Sequence, residues 1–406
     1  MRERSPLLAE IALRHGTPCF VYFMEDVKRR IDALRAAFDG MFAISYAMKC
    51  NPNRMLLARM RGWVDTLDVS SRGELAQGIA AGFRAEQISF TGPAKQRICL
   101  SQSLDHGIGE VVLESEREAR ALSELALARG VVQPVLLRIA PHKVPKGFGS
   151  HMAGKPCQFG VDEEDLPIAL GTLRGLRGIA LCGFHIYSGT QCLKADAIAE
   201  NYAIFIELFR RATALSELAP ARLIFGSGLG VRYHDGDPEL DLAHVAERTL
   251  PLLRELKSEP RFAHTQLTLE TGRYLVGEAG VYLTRVVNRK HSRGNEIATF
   301  DGGLNHHLAA TGHLGMVIHK PYRMFKVGGE GPLQSYDLYG PLCTSIDVLG
   351  RGVKLPGLEL DDVLAIEASG AYGPSASPSG FISHGPAREL LVERDAQGRE
   401  SVVIAE

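Results

Sequence analysis

Short apolar, β-branched runs alternate with longer stretches whose apolar residues fall at helical spacing. This rhythm fills the first two thirds of the chain. Eight runs read as strands: 42–47 (FAISYA), 65–69 (DTLDV), 88–91 (ISFT), 111–113 (VVL), 135–139 (VLLRI), 181–186 (LCGFHI), 223–225 (LIF) and 266–270 (QLTLE). Between them 71–81, 115–129, 195–218 and 240–257 read as helices. The first five runs recur about every 22 to 25 residues and the later ones about every 40 to 46. Eight β/α units in about 230 residues have the size and rhythm of a (β/α)8 barrel. A doubly wound open sheet is the alternative, because strand count alone does not prove closure.

Past Glu270 the pattern changes. Segments 282–289, 296–300, 334–339, 363–367 and 389–393 read as strands, with Gly and Pro punctuation and little helix. Segment 19–23 (CFVYF) is a strand with no place in the barrel; pairing with the C-terminal strands would make the β domain discontinuous. The expected fold is α/β: a (β/α)8 TIM barrel over 26–272, with a second, mainly β domain built from 1–25 and 273–406. No internal repeat exists beyond the β/α rhythm.

The chain has 406 residues, 45% apolar and 23% charged, as in ordinary soluble globular proteins. Its 46 basic and 47 acidic residues leave a net charge of −1, so no basic excess exists to match a nucleic acid or an anionic membrane. No apolar run is long enough to span a bilayer, and the opening MRERSPLLAEIALRHG does not read as a signal peptide. Seven cysteines without a C-x-x-C pair suit free thiols in a reducing cytoplasm. His306, His307, His313 and His319 cluster, but their spacing fits no standard zinc site; no metal is expected, and a polar substrate pocket or an exposed loop is the better reading.

Barrel active sites lie at the C-terminal ends of the strands, and that rule selects residues here. Lys49 follows the first run in YAMKCN, where partial desolvation would favour a neutral, nucleophilic amine; a plain surface lysine is the alternative. Gly226, Gly228 and Gly230 follow the seventh run in FGSGLGV, where barrel phosphate sites lie; a simple turn is the alternative. Glu270 and Arg273 follow the eighth run in LETGRY: a carboxylate for a ring nitrogen and a guanidinium for an anion, or a structural ion pair. An amine nucleophile, a phosphate cradle and an acidic partner for a pyridinium are the protein parts a pyridoxal phosphate enzyme needs.

YAMKCN, DVSSRGEL, GFHIYSGTQ, GSGLG, LETGRY, GPLCTSID and SGAYG, in that order, resemble the fold-type-III pyridoxal phosphate decarboxylases, the ornithine, arginine and diaminopimelate decarboxylase family. The similarity covers nearly the whole chain and implies the alanine racemase/decarboxylase-like fold. By matching position, Lys49 resembles the Schiff-base lysine, and Gly228, Gly230, Arg273 and Tyr372 resemble the phosphate-binding set. Glu270 resembles the residue that keeps the pyridine nitrogen protonated, which favours decarboxylation over racemisation; racemases of this fold resemble one another in an arginine there. Asp68, Glu74 and Arg138 resemble supporting residues around the cofactor, and Thr190 stands where a serine is usual. Cys343 resembles the catalytic cysteine donated across a dimer interface, which implies a homodimer with shared active sites.

Three departures bear on substrate. Tyr187 stands where a histidine commonly stacks on the cofactor ring, and its aromatic face can still stack. His185, two residues earlier, either faces substrate or is a hydrogen-bonded core histidine. Thr344 replaces the acidic residue usual after the cysteine in enzymes for diamino acids, and DGGLNHHLAATGHLG keeps Asp301 but lacks the arginine that diaminopimelate decarboxylases place there. HMAGKPCQFGVD, DGGLNHH, GPLCTSIDVLG and SGAYGPSASP resemble decarboxylases of secondary metabolism, acting on an amino acid joined to citrate in siderophore assembly or to an acyl carrier protein. The resemblance therefore implies a cytoplasmic, pyridoxal-phosphate-dependent carboxy-lyase for a small-molecule or carrier-linked amino acid. Diaminopimelate decarboxylase is one alternative. A non-catalytic regulatory homologue is another, against which Lys49, Glu270 and Cys343 speak.

Overall fold

The computed structural model describes residues 1–314, 320–394 and 397–405. Eight parallel strands form β1 (Ala43–Ala47), β2 (Thr66–Val69), β3 (Ile88–Phe90), β4 (Glu110–Leu113), β5 (Gln133–Ala140), β6 (Ile179–Ile186), β7 (Arg222–Gly226) and β8 (Gln266–Thr271). Each pairs with the next, and β8 pairs back with β1, so the sheet closes. Closure decides for the TIM barrel over the open sheet. Alternation along the strands sorts the core: Ile224 meets Val112 and Leu136 inside the barrel, while neighbouring Phe225 packs on Tyr202, Phe205 and Phe209 of the helix Ala195–Ser216. Two helices that follow strands open with the same device. Ser71 and Ser115 accept from the amides of Glu74 and Glu118, the Ser-x-x-Glu start that satisfies otherwise unpaired N–H groups.

The chain divides into two compact units. One holds 30–230 and 239–272 and contains the barrel strands; the other holds 1–29, 231–238 and 273–406. In the second unit the strands are β9 (Gly280–Ser292), β10 (Asn295–Phe300), β11 (Met324–Lys326), β12 (Leu333–Tyr339), β13 (Val348–Pro356), β14 (Val363–Ile366), β15 (Arg388–Arg394) and β16 (Glu400–Ile404). The Cys19–Phe23 strand runs antiparallel to β9 and parallel to β15, as its isolation from the barrel led us to expect. Val21, Phe23, Val281, Leu283, Leu390 and Val392 form this unit's core, with Leu8 and Ile11 of the helix Ser5–His15 packed on them.

The sequence reading had no strand at β11, β13 or β16. β11 has only three residues, too few to show alternation, and Gly350 and Gly352 read as punctuation inside β13. All seven cysteines are free thiols, and among the described residues no helix is long and apolar enough to cross a membrane.

Candidate active site

The C-terminal mouth of the barrel gathers most of the residues singled out in the sequence. Lys49 sits in the single turn Met48–Cys50 after β1, its ammonium 5.5 Å from the centroid of the Tyr187 ring. Glu270, near the end of β8, is 2% exposed, and its Oε2 lies 3.0 Å from His185 Nε2. Burial alone would push its carboxyl up; His185, then Lys49 and Arg138, overcome this and hold it at about 2. Asp68, on β2, moves the other way. Burial first, then the charge of Glu270, raises its carboxyl well above the usual range, although Thr91 donates to it at 2.5 Å. Two carboxylates in one dry space do not both ionise easily, and Glu270 keeps the charge because the cations lie beside it.

Two buried atoms in this space lack partners among the described residues, Asp68 Oδ2 and His185 Nδ1, and the second oxygen of Glu270 accepts no hydrogen bond there. Buried polar atoms are rarely left unpaired, so these mark a space built around a polar guest. Glu74 is engaged differently: its carboxylate accepts the Ser70 amide at 2.6 Å, closing the helix start, and burial raises its pKa. Thr190 is buried in a two-residue strand, Gly189–Thr190, that pairs with Ser150–His151.

The loop after β7 is fixed from both sides. Tyr202 OH donates to the Ser227 carbonyl at 2.7 Å, Ser227 N to the Glu270 carbonyl at 2.9 Å, and Gly230 N to the Cys192 carbonyl at 2.9 Å. The amides of Gly228 and Leu229 donate to no acceptor among the described residues. Gly228 has φ +66, and a Cβ there would stand 2.5 Å from the Phe148 ring; one on Gly226 would stand 2.3 Å from Tyr187. Only glycine lets this backbone turn and leave its amides open.

Arg138, at the end of β5, is oriented by a residue the sequence reading did not select. Glu114 follows β4 and is buried; its Oε1 accepts from Arg138 Nη1 (2.9 Å) and Gly92 N (3.0 Å), and its Oε2 from Gly160 N (2.7 Å). Burial opposes ionisation, but Arg138 and Lys95 outweigh it and lower the carboxyl. Arg138 Nη2 in turn reaches the Tyr187 carbonyl at 3.5 Å. A glutamate just past a barrel strand was the available signal.

In the second unit, Arg273 donates to Tyr233 OH at 2.7 Å, and its guanidinium carbon lies 4.6 Å from the Tyr372 ring centroid. No carboxylate pairs with it among the described residues, and its Nε is buried without a partner. Tyr372 takes φ +56, a strained backbone for an aromatic residue. His307 supports that turn. It is fully buried, desolvation lowers its pKa to about 3, and the neutral ring's Nε2 lies 2.9 Å from Ser369 Oγ. His306 is also buried, with Nε2 2.8 Å from the Gly385 carbonyl. Neither is an exposed loop residue; His313 is exposed, and His319 lies outside the described residues. Among the described residues no three potential metal ligands gather.

Cys343 is exposed and Thr344 half-buried in a loop tied down by Asp347, whose carboxylate accepts from Leu342 N (2.9 Å) and Leu304 N (2.7 Å). Asp301 accepts from the hydroxyls of Thr17 and Thr284 and from Arg285 N. It thus ties segments of the second unit together.

These donor sets fit pyridoxal phosphate. The open oxygen of an ionised Glu270 suits a ring N–H, the open amides of Gly228 and Leu229 suit a phosphate, and Lys49 offers the amine. The comparison with known proteins agrees. Residues 24–277 match the family described as pyridoxal-dependent decarboxylase, pyridoxal binding domain. The chain belongs to this family. The decarboxylase is 33% identical over 392 residues to the L-glutamyl-[BtrI acyl-carrier protein] decarboxylase of Niallia circulans, covering 95% of this chain and 90% of that one. It is 28% identical over 396 residues to the 2-[(L-alanin-3-ylcarbamoyl)methyl]-2-hydroxybutanedioate decarboxylase of Staphylococcus aureus, covering 95% and 96%. Among solved structures it resembles a point mutant of the diaminopimelate decarboxylase of Helicobacter pylori complexed with L-lysine, at TM-score 0.86 and 25% identity over 98% of this chain and 96% of that one. The decarboxylase is therefore a pyridoxal-phosphate-dependent enzyme of amino-acid decarboxylation.

Proposed function

We propose that this enzyme decarboxylates an L-amino acid carried on a larger conjugate, a citrate-type acid or an acyl carrier, in secondary metabolism. Bound pyridoxal phosphate supplies an electron sink for the pair released when the bond from Cα to the carboxylate breaks. The chain's own residues do the rest. Lys49 contributes the amine that holds the cofactor between turnovers. Glu270, ionised and backed by His185, takes a hydrogen bond from the ring nitrogen and keeps its proton there. Tyr187 offers its face to the ring, held through Arg138 and Glu114. The amides of Gly228 and Leu229 bind phosphate oxygens; Arg273 and Tyr372 are proposed as cofactor-binding residues on the motif match and, for Arg273, its uncompensated guanidinium. Cys343 is proposed to return a proton to Cα as general acid, donated across a homodimer.

The observation that carries the substrate reading is Thr344, at the position where diamino-acid enzymes use an acid, supported by the two relatives whose names carry conjugated substrates. An unpaired ammonium in a partly desolvated site costs several kcal/mol. A site that leaves polar groups unpaired can reject a substrate by factors of about 10⁴. Free lysine, ornithine and meso-diaminopimelate are expected to be poor substrates, with a citryl-linked or carrier-linked amino acid preferred by orders of magnitude in kcat/KM. A CO2-release panel of these compounds checks this; efficient turnover of meso-diaminopimelate with inert conjugates would replace the reading by diaminopimelate decarboxylase. The shared site has its own test. Mixing inactive Lys49→Ala and Cys343→Ala proteins should restore activity, since random exchange gives about half the dimers one intact site. No recovery despite demonstrated exchange would mean that each chain builds its own site.

A further inference from the structure

A conjugated substrate must put its extension somewhere, and the barrel unit has a feature suited to it. The connection after β5 carries His142, Lys143, Lys146, His151 and Lys155 and no acidic residue from Pro141 through Val161, in a chain that as a whole has 46 basic and 47 acidic residues. This segment is docked at the barrel mouth. Ser150–His151 pairs with Gly189–Thr190, Gly149 N donates to the Thr190 carbonyl at 2.9 Å, and Met152 N to the Ser188 carbonyl at 2.8 Å. Phe148 is buried against Gly189 and Gly228, so the segment that carries these cations packs on the glycine loop.

Two open clefts run along the segment and share Lys143 and Val144. One, of about 720 Å³, is lined by Lys146, Lys194, Asp196 and Glu200; the other, of about 470 Å³, by His151 and Lys155. The acids in the larger cleft are already engaged. Glu200 pairs with Lys143 at 2.6 Å, and Asp196 with His244 (3.0 Å) and Arg248 (3.1 Å). Lys194 packs its stem by Gly147, where a Cβ would stand 3.1 Å from Lys194 Cδ, so it lies beside the residue that follows Lys146. Lys146, Lys155 and Lys194 form no ion pair among the described residues.

We propose that Lys146 and Lys194 bind an anionic extension of the substrate, either a carboxylate cluster or a phosphodiester, while the amino-acid end reacts at the barrel mouth. This rests on the conjugate reading above. Lys146 and Lys194 share a cleft whose acids are engaged by other cations, so they create a local positive potential that a multiply charged anion relieves, and the attraction is screened by salt.

The test uses the holoenzyme as wild type, Lys146→Glu/Lys194→Glu and Lys146→Arg/Lys194→Arg. Calorimetric titration with citrate should show affinity falling at least about tenfold on charge reversal, surviving the arginine exchange, and weakening with ionic strength in the wild type. In turnover, charge reversal should raise KM about tenfold, with kcat changed less than about twofold, for a conjugate whose anion occupies the cleft. A citryl-linked amino acid and a glutamyl-carrier conjugate, assayed separately, distinguish the carboxylate source from the phosphodiester source. The uncharged methylamide of the same amino acid should keep its KM. Wild type that binds no citrate, citrate affinity unmoved by charge reversal, or an equal KM change for the neutral amide would each overturn the proposal. Should the wild type turn over meso-diaminopimelate and no conjugate, the proposed function fails, while citrate binding that still needs both lysines sustains the anion site.

Discussion

Lys49→Ala enzyme is expected to release CO2 only at the background rate and to lose the mass increase that borohydride reduction gives the wild type. The turn directly after β1 places this amine at the mouth of the barrel, and its charge already biases Asp68, Glu74 and Glu270. Removing it takes away the point of covalent attachment but leaves the glycine loop, since that loop is held by Tyr202, Cys192 and the Glu270 backbone. The variant should therefore still take up pyridoxal phosphate, more weakly, with a visible spectrum closer to the free aldehyde. Peptide mapping of the reduced wild type should place the adduct on Lys49. An adduct on another lysine, or turnover that survives the substitution, would sink the assignment.

What the sequence made legible follows from what is local. The barrel strands announced themselves as short, mostly apolar runs recurring between helical segments, and Lys49 and Glu270 were found because position after a strand is readable along the chain. The partnership of His185 with Glu270 was not readable, because it spans strands β6 and β8 and depends on which way each side chain points. Glu114 was missed for a related reason: a Glu before Ser115 reads as part of a helix start, and only the closed barrel brings Gly92, Arg138 and Gly160 to it. The adjacent histidines looked like surface or pocket residues by composition. Burial and hydrogen bonds instead make them supports for the backbone around Tyr372 and the segment after it: His307 meets Ser369 Oγ and the Ala310 amide, and His306 meets the Gly385 carbonyl, Tyr282 OH and Asn305. Asp301 looked like a substrate contact on motif alone, whereas three donors already occupy its carboxylate.

Glu270→Gln should lower kcat by about 10²–10³, the usual cost of deleting one preorganised charge-stabilising partner, while leaving the fold and cofactor uptake intact. Gln has the same shape and can still accept from His185, so the loss isolates the carboxylate's charge and its hold on the ring-nitrogen proton. The same substitution has a second readout that a merely structural residue would not give. Glu270 is held at about 2 against an ordinary 4.5, because His185, Lys49 and Arg138 together outweigh its burial. A carboxyl depressed in the folded state adds stability that is fully present above 4.5 and is withdrawn as pH falls from there towards 2. Gln does not titrate, so wild type should lose Tm faster than the variant on acidification through that window, and any neutral-pH advantage of the wild type should shrink. Asp68 works against this at neutral pH, since burial and the Glu270 charge raise its carboxyl and the raised value destabilises the fold. Removing that charge lets Asp68 fall back, which trims the wild-type advantage at neutral pH, whereas the loss between 4.5 and 2 belongs to Glu270. Thermal melts of both proteins between pH 6 and 3 separate the two effects. A Tm difference constant across that range, or a kcat for Glu270→Gln within a few-fold of wild type, would show that the ionised carboxylate is not what drives the reaction.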